Sequence, residues 1–403
     1  MSLFDFGKKK EEIIVVFDIG SASVGGMIIK TKPESDPEII ASARNPVNFL
    51  FDVNFPAFWR SARNAVKKTA DRLCKLSPVK PDKVLCVFSS PWFISQTRII
   101  SVRKGEPFEI SGDFFNKLLD DEIKELKKKR RFRPPAPASG RPGEASASDS
   151  DFELMESERM KTCLNGYPSE NPFGKKAKTF KAYVHMSFGS GEVIREMEKI
   201  ISEKLGESRV FFRTLPFVTF GVLEKIIKPE AGYLFADIGG EVSDVSLVRK
   251  GAIEEVVSFP LGRNAVVREV ASRFKTTIKE ADSLIERFRS RRAGASDSKE
   301  VSLIAERFAG KWREFLRKAL VEISSDAPLP RDFFIVGNGI DGLGFIESVK
   351  DPSFSVFTVL GKPFNVRRIL PEGLKHYFRF ERSFEKDKDG LLMLESLFAA
   401  EIL

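Results

Sequence analysis

Histidine and cysteine are almost missing from this chain. Two histidines, His185 and His376, and three cysteines, Cys74, Cys86 and Cys163, are spread over 403 residues. An odd number of widely spaced cysteines argues against a disulfide scaffold and for a reducing compartment. With no paired cysteines and two distant histidines, a zinc site lacks a ligand set, and a Ser-His-Asp hydrolase has little histidine to draw on. No apolar run approaches the roughly 18 residues that a membrane-spanning helix needs. Residues 1–12 carry lysines but no apolar segment behind them and no small-residue cleavage site, so no secretory signal is expected. Tyrosine is scarce, 4 residues against 37 phenylalanines. A surplus of that kind packs cores rather than stacking on bases.

The charge is uneven. Lys and Arg number 66 against 57 Asp and Glu, a formal net charge of +9. The excess gathers in Lys124–Arg133 (KELKKKRRFR) and Arg287–Arg292 (RFRSRR). Such runs can meet nucleic acid or anionic lipid, but their ordinary reading, preferred here, is a solvated helix end or loop. The first run lacks the interleaved aromatics of a single-strand groove, so no nucleic-acid partner is expected. The apolar fraction of 42% and charged fraction of 31% are those of a globular chain long enough for two or more cores.

What is present is a repeat. The stretch Val15-Val16-Phe17-Asp18-Ile19-Gly20-Ser21-Ala22-Ser23 runs an apolar strand into a carboxylate and then into a turn of small residues. Small residues let backbone N–H groups approach anionic oxygens, and the carboxylate can hold a hydrated Mg²⁺; an ordinary strand-to-turn junction capped by Asp reads the same way. The pattern returns in Gly232-Tyr233-Leu234-Phe235-Ala236-Asp237-Ile238-Gly239-Gly240-Glu241-Val242-Ser243-Asp244, with Asp237 standing 219 residues after Asp18. Each copy continues into a second and a third β-rich run, at Met27–Lys30 and Ile39–Ala43 and again at Val245–Val248 and Ala252–Phe259. The repeat implies two similar α/β halves offering an Asp and a glycine turn to a shared cleft. A third piece, Phe333-Phe334-Ile335-Val336-Gly337-Asn338-Gly339-Ile340-Asp341-Gly342, takes another strand into a glycine-rich turn suited to close packing against a purine and ribose.

Between the copies, helical spacing covers Phe58–Leu76, Phe114–Lys129, Glu192–Leu205 and Val218–Ile227, and β-rich runs lie at Val84–Ser89, Thr97–Val102, Thr179–Phe188 and Val210–Thr214. Arg133–Ser150 (RPPAPASGRPGEASASDS) has no apolar period and reads as a disordered loop, about 131–150. The end, Gly390–Leu403, reads as a closing core helix.

In this order, the two hairpins and the glycine turn resemble the phosphate-1, phosphate-2 and adenosine motifs of the actin-like ATPase superfamily, over about Ile13 to Leu403. The resemblance implies an α/β actin-like ATPase fold, with two ribonuclease-H-like halves around a nucleotide cleft. Within the superfamily the chain is similar to the FtsA family of cell division and the related PilM family of type IV pilus assembly. The spacing between the hairpins is too short for the insertions of actin or Hsp70, and Leu164–Gly174, containing Asn171-Pro172-Phe173-Gly174 and followed by the strand Lys181–Met186, resembles a passage of the extra subdomain of those families. The implied organisation is a flexible tail at 1–12, the first half of domain I at 13–89, the extra subdomain at 90–206 and the rest of the core at 207–403.

By resemblance the nucleotide-binding residues are Asp18, Gly20, Ser21 and Ser23, then Asp237, Gly239 and Gly240, then Gly262 and Asn264, then Gly337, Gly339 and Asp341. Asp244 matches the trailing Asp of the second motif. ATP is the implied cofactor, with Mg²⁺ held through water by Asp18 and Asp237. Three departures stand out: no lysine appears in the first hairpin, Glu241 stands beside the expected phosphates, and Leu215–Phe220 has no acid or amide for a general base. No residue is assigned a catalytic role, and hydrolysis is expected to be slow or absent. The expected function is an FtsA-like division scaffold or filament component at the cytoplasmic face of the membrane, the alternative a PilM-like pilus adaptor. A nucleotide-free docking scaffold and a sugar kinase on the same fold stand behind these. Expected partners are further copies of the chain, a tubulin-like division protein or a pilus-assembly membrane-protein peptide. Membrane contact would be peripheral and through the partner. Residues 1–10, three bulky apolar residues followed by lysines, read as a frayed tail or a weak anchor.

Overall fold

In a computed structural model the described residues are 11–48, 55–129, 152–227, 232–324, 327–380 and 389–403. The tail at 1–10, the loop expected at 131–150 and the charged residues 385–388 lie outside them.

The chain begins as a meander, β1 (Glu12–Ile19), β2 (Ser23–Lys32) and β3 (Ser35–Pro46), followed by helix α1 (Phe55–Leu76) and strand β4 (Lys83–Phe88). An inserted unit follows: β5 (Phe93–Glu109), α2 (Gly112–Lys129), β6 (Phe152–Leu164), β7 (Tyr167–Pro168) and β8 (Lys176–Ser190). Helix α3 (Gly191–Leu205), strand β9 (Arg209–Thr214) and helix α4 (Leu215–Ile226) complete the first half. The second half repeats the meander as β10 (Tyr233–Ile238), β11 (Ser243–Arg249) and β12 (Ala252–Phe259). Helices α5 (Arg263–Phe274), α6 (Ile278–Arg289) and α7 (Ala295–Ile323) lead to β13 (Asp332–Val336), α8 (Phe345–Val349) and β14 (Asn365–Arg368). The chain closes with α9 (Pro371–Leu374), β15 (Arg379–Phe380) and α10 (Gly390–Ile402).

The two large sheets have the same strand plan. One runs β15-β3-β2-β1-β4-β9, the other β12-β11-β10-β13-β14. In each, the first strand pairs antiparallel with the second and parallel with the next strand of the sheet. This is the duplicated α/β architecture that the repeat implies. The central strands are buried nearly throughout, as strands covered on both faces must be.

Helices α4 and α10 lie between the sheets. Their apolar residues share one core with Ile14, Val16, Tyr233, Phe235 and Phe334. Helix α10 (GLLMLESLFAAEI) is apolar on nearly every side and is buried accordingly. Helices α5 and α7 cover the outer face of the second sheet, and α1 covers that of the first. The inserted unit is a four-stranded sheet, β5-β8-β6-β7, with its own core of Ile100, Ile110, Phe115, Leu126 and Phe180. Helix α3 follows that unit in sequence but packs Val193, Met197 and Ile201 into the core with α1. Among the described residues no helix is long and apolar enough to cross a membrane.

The first hairpin turn is tied to this core by Trp92, which is 1% exposed. Its ring stacks on Phe58 at 4.8 Å, and its Nε1 donates to the Gly20 carbonyl at 3.4 Å. Trp92→Ala is expected to cost about 3–5 kcal/mol in urea unfolding, and Trp92→Phe, which removes the N–H but keeps most of the packing, about 1 kcal/mol.

Candidate functional site

Strand β1 stays buried until its end, so Asp18 reaches the mouth of the cleft with 1% exposure. Its Oδ2 meets Arg44 Nη2 at 2.7 Å. Arg44 comes from β3, two strands away. Between them, Gly25 is the register partner of both Asp18 and Arg44, and a Cβ at Gly25 would stand 2.5 Å from Nη2. Arg44 Nη1 donates to Ser23 Oγ at 2.9 Å and Nε to Asp389 Oδ2 at 2.6 Å. Asp389 caps α10 by accepting the Leu391 and Leu392 N–H groups, and it accepts Asn338 Nδ2 at 3.2 Å. One guanidinium thus gathers the first hairpin and the closing helix, and Asp389 carries the link on to the glycine turn.

The second hairpin is bound in the same self-contained way. Asp237 and Asp244 are register partners and both are buried. Ser90, just beyond β4, donates its hydroxyl to Asp244 Oδ1 at 2.9 Å, and Ser89 hydrogen-bonds Asp237. Across the cleft, the N–H groups of Gly240 and Glu241 both donate to Ser21 Oγ at 3.0 Å. The start of α5 is also committed: Arg263 N–H donates to the Gly239 carbonyl at 3.0 Å and Asn264 N–H to that of Gly240 at 2.8 Å. A Cβ at Gly262 would lie 2.5 Å from both carbonyl oxygens, so only glycine permits this approach. Glu241 is turned to α5, where Asn264 Nδ2 and Arg268 Nη2 donate to its Oε1 at 2.8 and 2.6 Å.

At the third motif a cavity of about 210 Å³ is lined by Gly337, Asn338, Gly339, Asp341, Arg289 and Arg368, among others. The arginines use most of its polar capacity on the chain itself. Arg289 and Arg368 pair with Asp341, Arg368 Nη2 donates to the Gly337 carbonyl at 3.2 Å, and Arg263 Nε to that of Gly339 at 3.0 Å.

The carboxylates outnumber their counter-charges. Burial pushes Asp18 up, against the pull of Arg44. Burial, then Asp244 and Asp18, hold Asp237 well above the usual carboxylate range. Burial lifts Asp244 to about 6 despite hydrogen bonds from Ser258 and Ser90. Glu395 of α10 is fully buried and is raised well above its ordinary value by burial, with Asp18 adding to the effect. Of this group Asp389 alone is lowered: burial raises it, but Arg44, the Leu392 N–H and Asn338 together outweigh that.

The sequence-derived residues therefore fall into two groups. Asp18, Ser21, Ser23, Asp237, Gly239, Gly240, Gly262 and Asn264 surround the junction of the two hairpins, whereas Gly337, Gly339 and Asp341 line the cavity at the third motif, which reaches the start of α10. Gly20 closes the first turn, its N–H donating to the Ser23 carbonyl at 3.1 Å. As arranged, the junction does not fit a Mg-bound phosphate tail: the amides are given to Ser21 and the Asp18 carboxylate to Arg44. Among the described residues, no group of three or more His, Cys, Asp or Glu side chains could hold a metal. Sequence reading missed Arg44, Asp389 and Glu395. The one signal for Arg44 was Gly25-Gly26 in an otherwise bulky strand, a gap that some large neighbour has to fill.

Neither a protein-family model nor a curated protein matches this sequence. Solved structures do. A chain of the PilM–PilN type IV pilus biogenesis complex matches 98% of this chain over 100% of its own length, with 15% identity and a TM-score of 0.66. The ethanolamine utilization protein EutJ from Carboxydothermus hydrogenoformans is 14% identical over 89% of this chain and 85% of its own, with a TM-score of 0.42. A non-polymerising mutant of MamK, solved bound to AMPPNP, is 12% identical over 98% and 100%, with a TM-score of 0.39. At such identity the first of these establishes the fold: the chain has the actin-like ATPase fold.

A raised carboxyl lets the folded state bind protons that the unfolded chain has released. Its stabilising contribution is complete below about pH 4 and is lost as pH rises through the folded value. Asp244→Asn should therefore raise stability at about pH 8 by about 1–3 kcal/mol, with the gain disappearing toward about pH 4. Urea unfolding across that range checks it; an equal effect at both ends would remove Asp244 as the titrating group.

Proposed function

We propose that this chain, which has the actin-like ATPase fold, is a docking adaptor of PilM type that binds a short segment of a pilus-assembly membrane protein on its inserted four-stranded unit. The observation that carries the reading is the end-to-end likeness to the PilM–PilN chain. At 98% coverage that likeness takes in the inserted unit as well as the two halves. The unit also offers a landing place. Strand β5 is an edge of its sheet, and an added extended segment can pair with such an edge. Ile99 on β5 is 54% exposed, while its neighbour Ile100 is in the unit's core. Two residues earlier, Thr97 Oγ1 donates to the Ile253 carbonyl of β12 at 2.6 Å, which fixes the Ile99 side of β5 beside the second half.

An FtsA-like division scaffold is the second reading. It is favoured by the Asn171-Pro172-Phe173-Gly174 turn, which closes on the unit through Gly174 N–H to the Ile110 carbonyl at 2.9 Å. In that reading the partner is a tubulin-like division protein, the chain self-associates, and membrane contact is peripheral through the partner. Neither reading requires ATP: in the present arrangement its phosphates and Mg²⁺ would first have to displace Ser21 and Arg44 from their contacts. Hydrolysis is then at most slow, because Leu215–Phe220 at the start of α4 supplies no acid or amide.

Interferometry with immobilised full-length chain separates the readings. A synthetic cytoplasmic segment of a PilN-type protein is expected to bind, and Ile99→Glu to weaken it at least about tenfold, about 1.4 kcal/mol, with no change in Tm. Binding of a tubulin-like division protein in its place would move the assignment to the second reading. Undiminished segment binding by Ile99→Glu would take the docking site off β5.

A further inference from the structure

The charges around Asp18 demand a cation, and the chain supplies one from its own third strand. Asp18, Asp389 and Glu395 converge from β1 and from the first turns of α10, with Asp18 1% and Glu395 0% exposed. Asp18 Oδ1 and both carboxylate oxygens of Glu395 are buried without a hydrogen-bond partner. Buried carboxylates need a counter-charge or a proton. Arg44 meets the group with two hydrogen bonds, Nε to Asp389 at 2.6 Å and Nη1 to Ser23 Oγ at 2.9 Å, and with one ion pair outside hydrogen-bond geometry, Nη2 standing 2.7 Å from Asp18 Oδ2. Its position is built in. Without a side chain at Gly25 the guanidinium fits; with one, Cβ would stand 2.5 Å from Nη2 and 2.8 Å from Cζ. A lysine is a poorer match, since its single nitrogen cannot stand at three separate points as a planar guanidinium does.

A hydrated Mg²⁺ serving Asp18 and a guanidinium 2.7 Å from the same carboxylate exclude each other, by volume and by charge. The opposing lip is arranged consistently, because the amides of Gly240 and Glu241 are spent on Ser21 Oγ and the charge of Glu241 on α5. We propose that Arg44 is the built-in cation of this cleft, standing where the resemblance places hydrated Mg²⁺, so that the two halves are joined without metal or nucleotide. The inference is independent of the docking partner and would hold for either reading above.

Calorimetry and thermal unfolding of the full-length chain, titrated with MgCl₂ alone and with Mg-ATP, test it. Wild type is expected to give no binding heat and no Tm change with either, up to about 1 mM. Arg44→Ser should melt lower, and Mg²⁺ alone should raise its Tm, with an apparent affinity at least about tenfold tighter than that of wild type. Micromolar Mg-ATP binding by wild type overturns the proposal, as does an Arg44→Ser variant as indifferent to Mg²⁺ as wild type. If Arg44→Ser fails to fold, Gly25→Ala and the wild-type titration carry the test. Gly25→Ala pushes the guanidinium off Asp18 while leaving every charge in place. A Tm response to Mg²⁺ in Gly25→Ala alone supports the proposal, and the same response in both proteins, or in neither, overturns it.

Discussion

The contact of Arg44 with Asp18 and Asp389 is the one on which the cleft depends. It joins residues 345 positions apart in sequence and brings together β1, β3 and the N-terminus of α10. Two weaker ties run beside it, Ser21 Oγ to the Gly240 and Glu241 amides and Ser90 Oγ to Asp244. A hydrogen bond of that kind is worth about 1 kcal/mol net. Removing one partner of a buried ion pair costs about 3–5 kcal/mol, because a charge is left behind. The ion pair therefore holds the closing helix to the first hairpin, and the serine hydrogen bonds are what cross to the second.

The remaining carboxylates show what that single cation cannot do. Asp237 and Asp244 face each other across the second hairpin, and Glu395 lies fully buried in α10. Like charges directly opposite in a sheet repel, and a second buried arginine would bring its own desolvation cost. Taking up a proton is cheaper, at about 1.4 kcal/mol for each tenfold weakening of the acid. Burial moves Asp237, Asp244 and Glu395 upward, with neighbouring carboxylates adding to it at Asp237 and Glu395, while Asp389, which has Arg44, a capping N–H and Asn338, moves down.

The fold was legible because its repeat is written in local chemistry. An apolar strand ending in Asp, a turn of small residues and a second strand can be read without knowing what lies opposite. The site was legible only to the same depth. Asp18 and Asp237 come from that local pattern, but Arg44 stands in a strand of alternating burial, where an arginine ordinarily points to water. Asp389 and Glu395 arrive from a helix whose apolar sequence hides a buried acid among leucines. Glu241 looked like a conflict with phosphate because its answer lies on α5: Asn264 and Arg268, four residues apart, present both donors on one helix face. The packing of α3 with α1 was hidden for the same reason, since the faces that choose partners are fixed by the tertiary arrangement.

The inserted unit is not a loose appendage to this arrangement. Glu156 on β6 accepts the backbone N–H of Thr214 at 3.2 Å, the Thr214 hydroxyl, and Ser187 Oγ of β8 at 3.0 Å. His185 of β8, fully buried, stacks on Phe217 in the first turn of α4 at 5.5 Å, and Phe217 in turn meets Phe398 of α10 edge-on at 5.9 Å. Each step is a packed contact between rigid elements, and the path ends on the helix that carries Asp389 and Glu395. A tilt of the unit against β9 and α4 cannot leave α10 where it is without breaking one of these contacts. Separation of the lips, in turn, breaks the hydrogen bonds of Ser21 with Gly240 and Glu241 and of Ser90 with Asp244. The inserted unit is thus joined by packed contacts to the helix whose N-terminus Asp389 caps, and through Asp389 to Arg44.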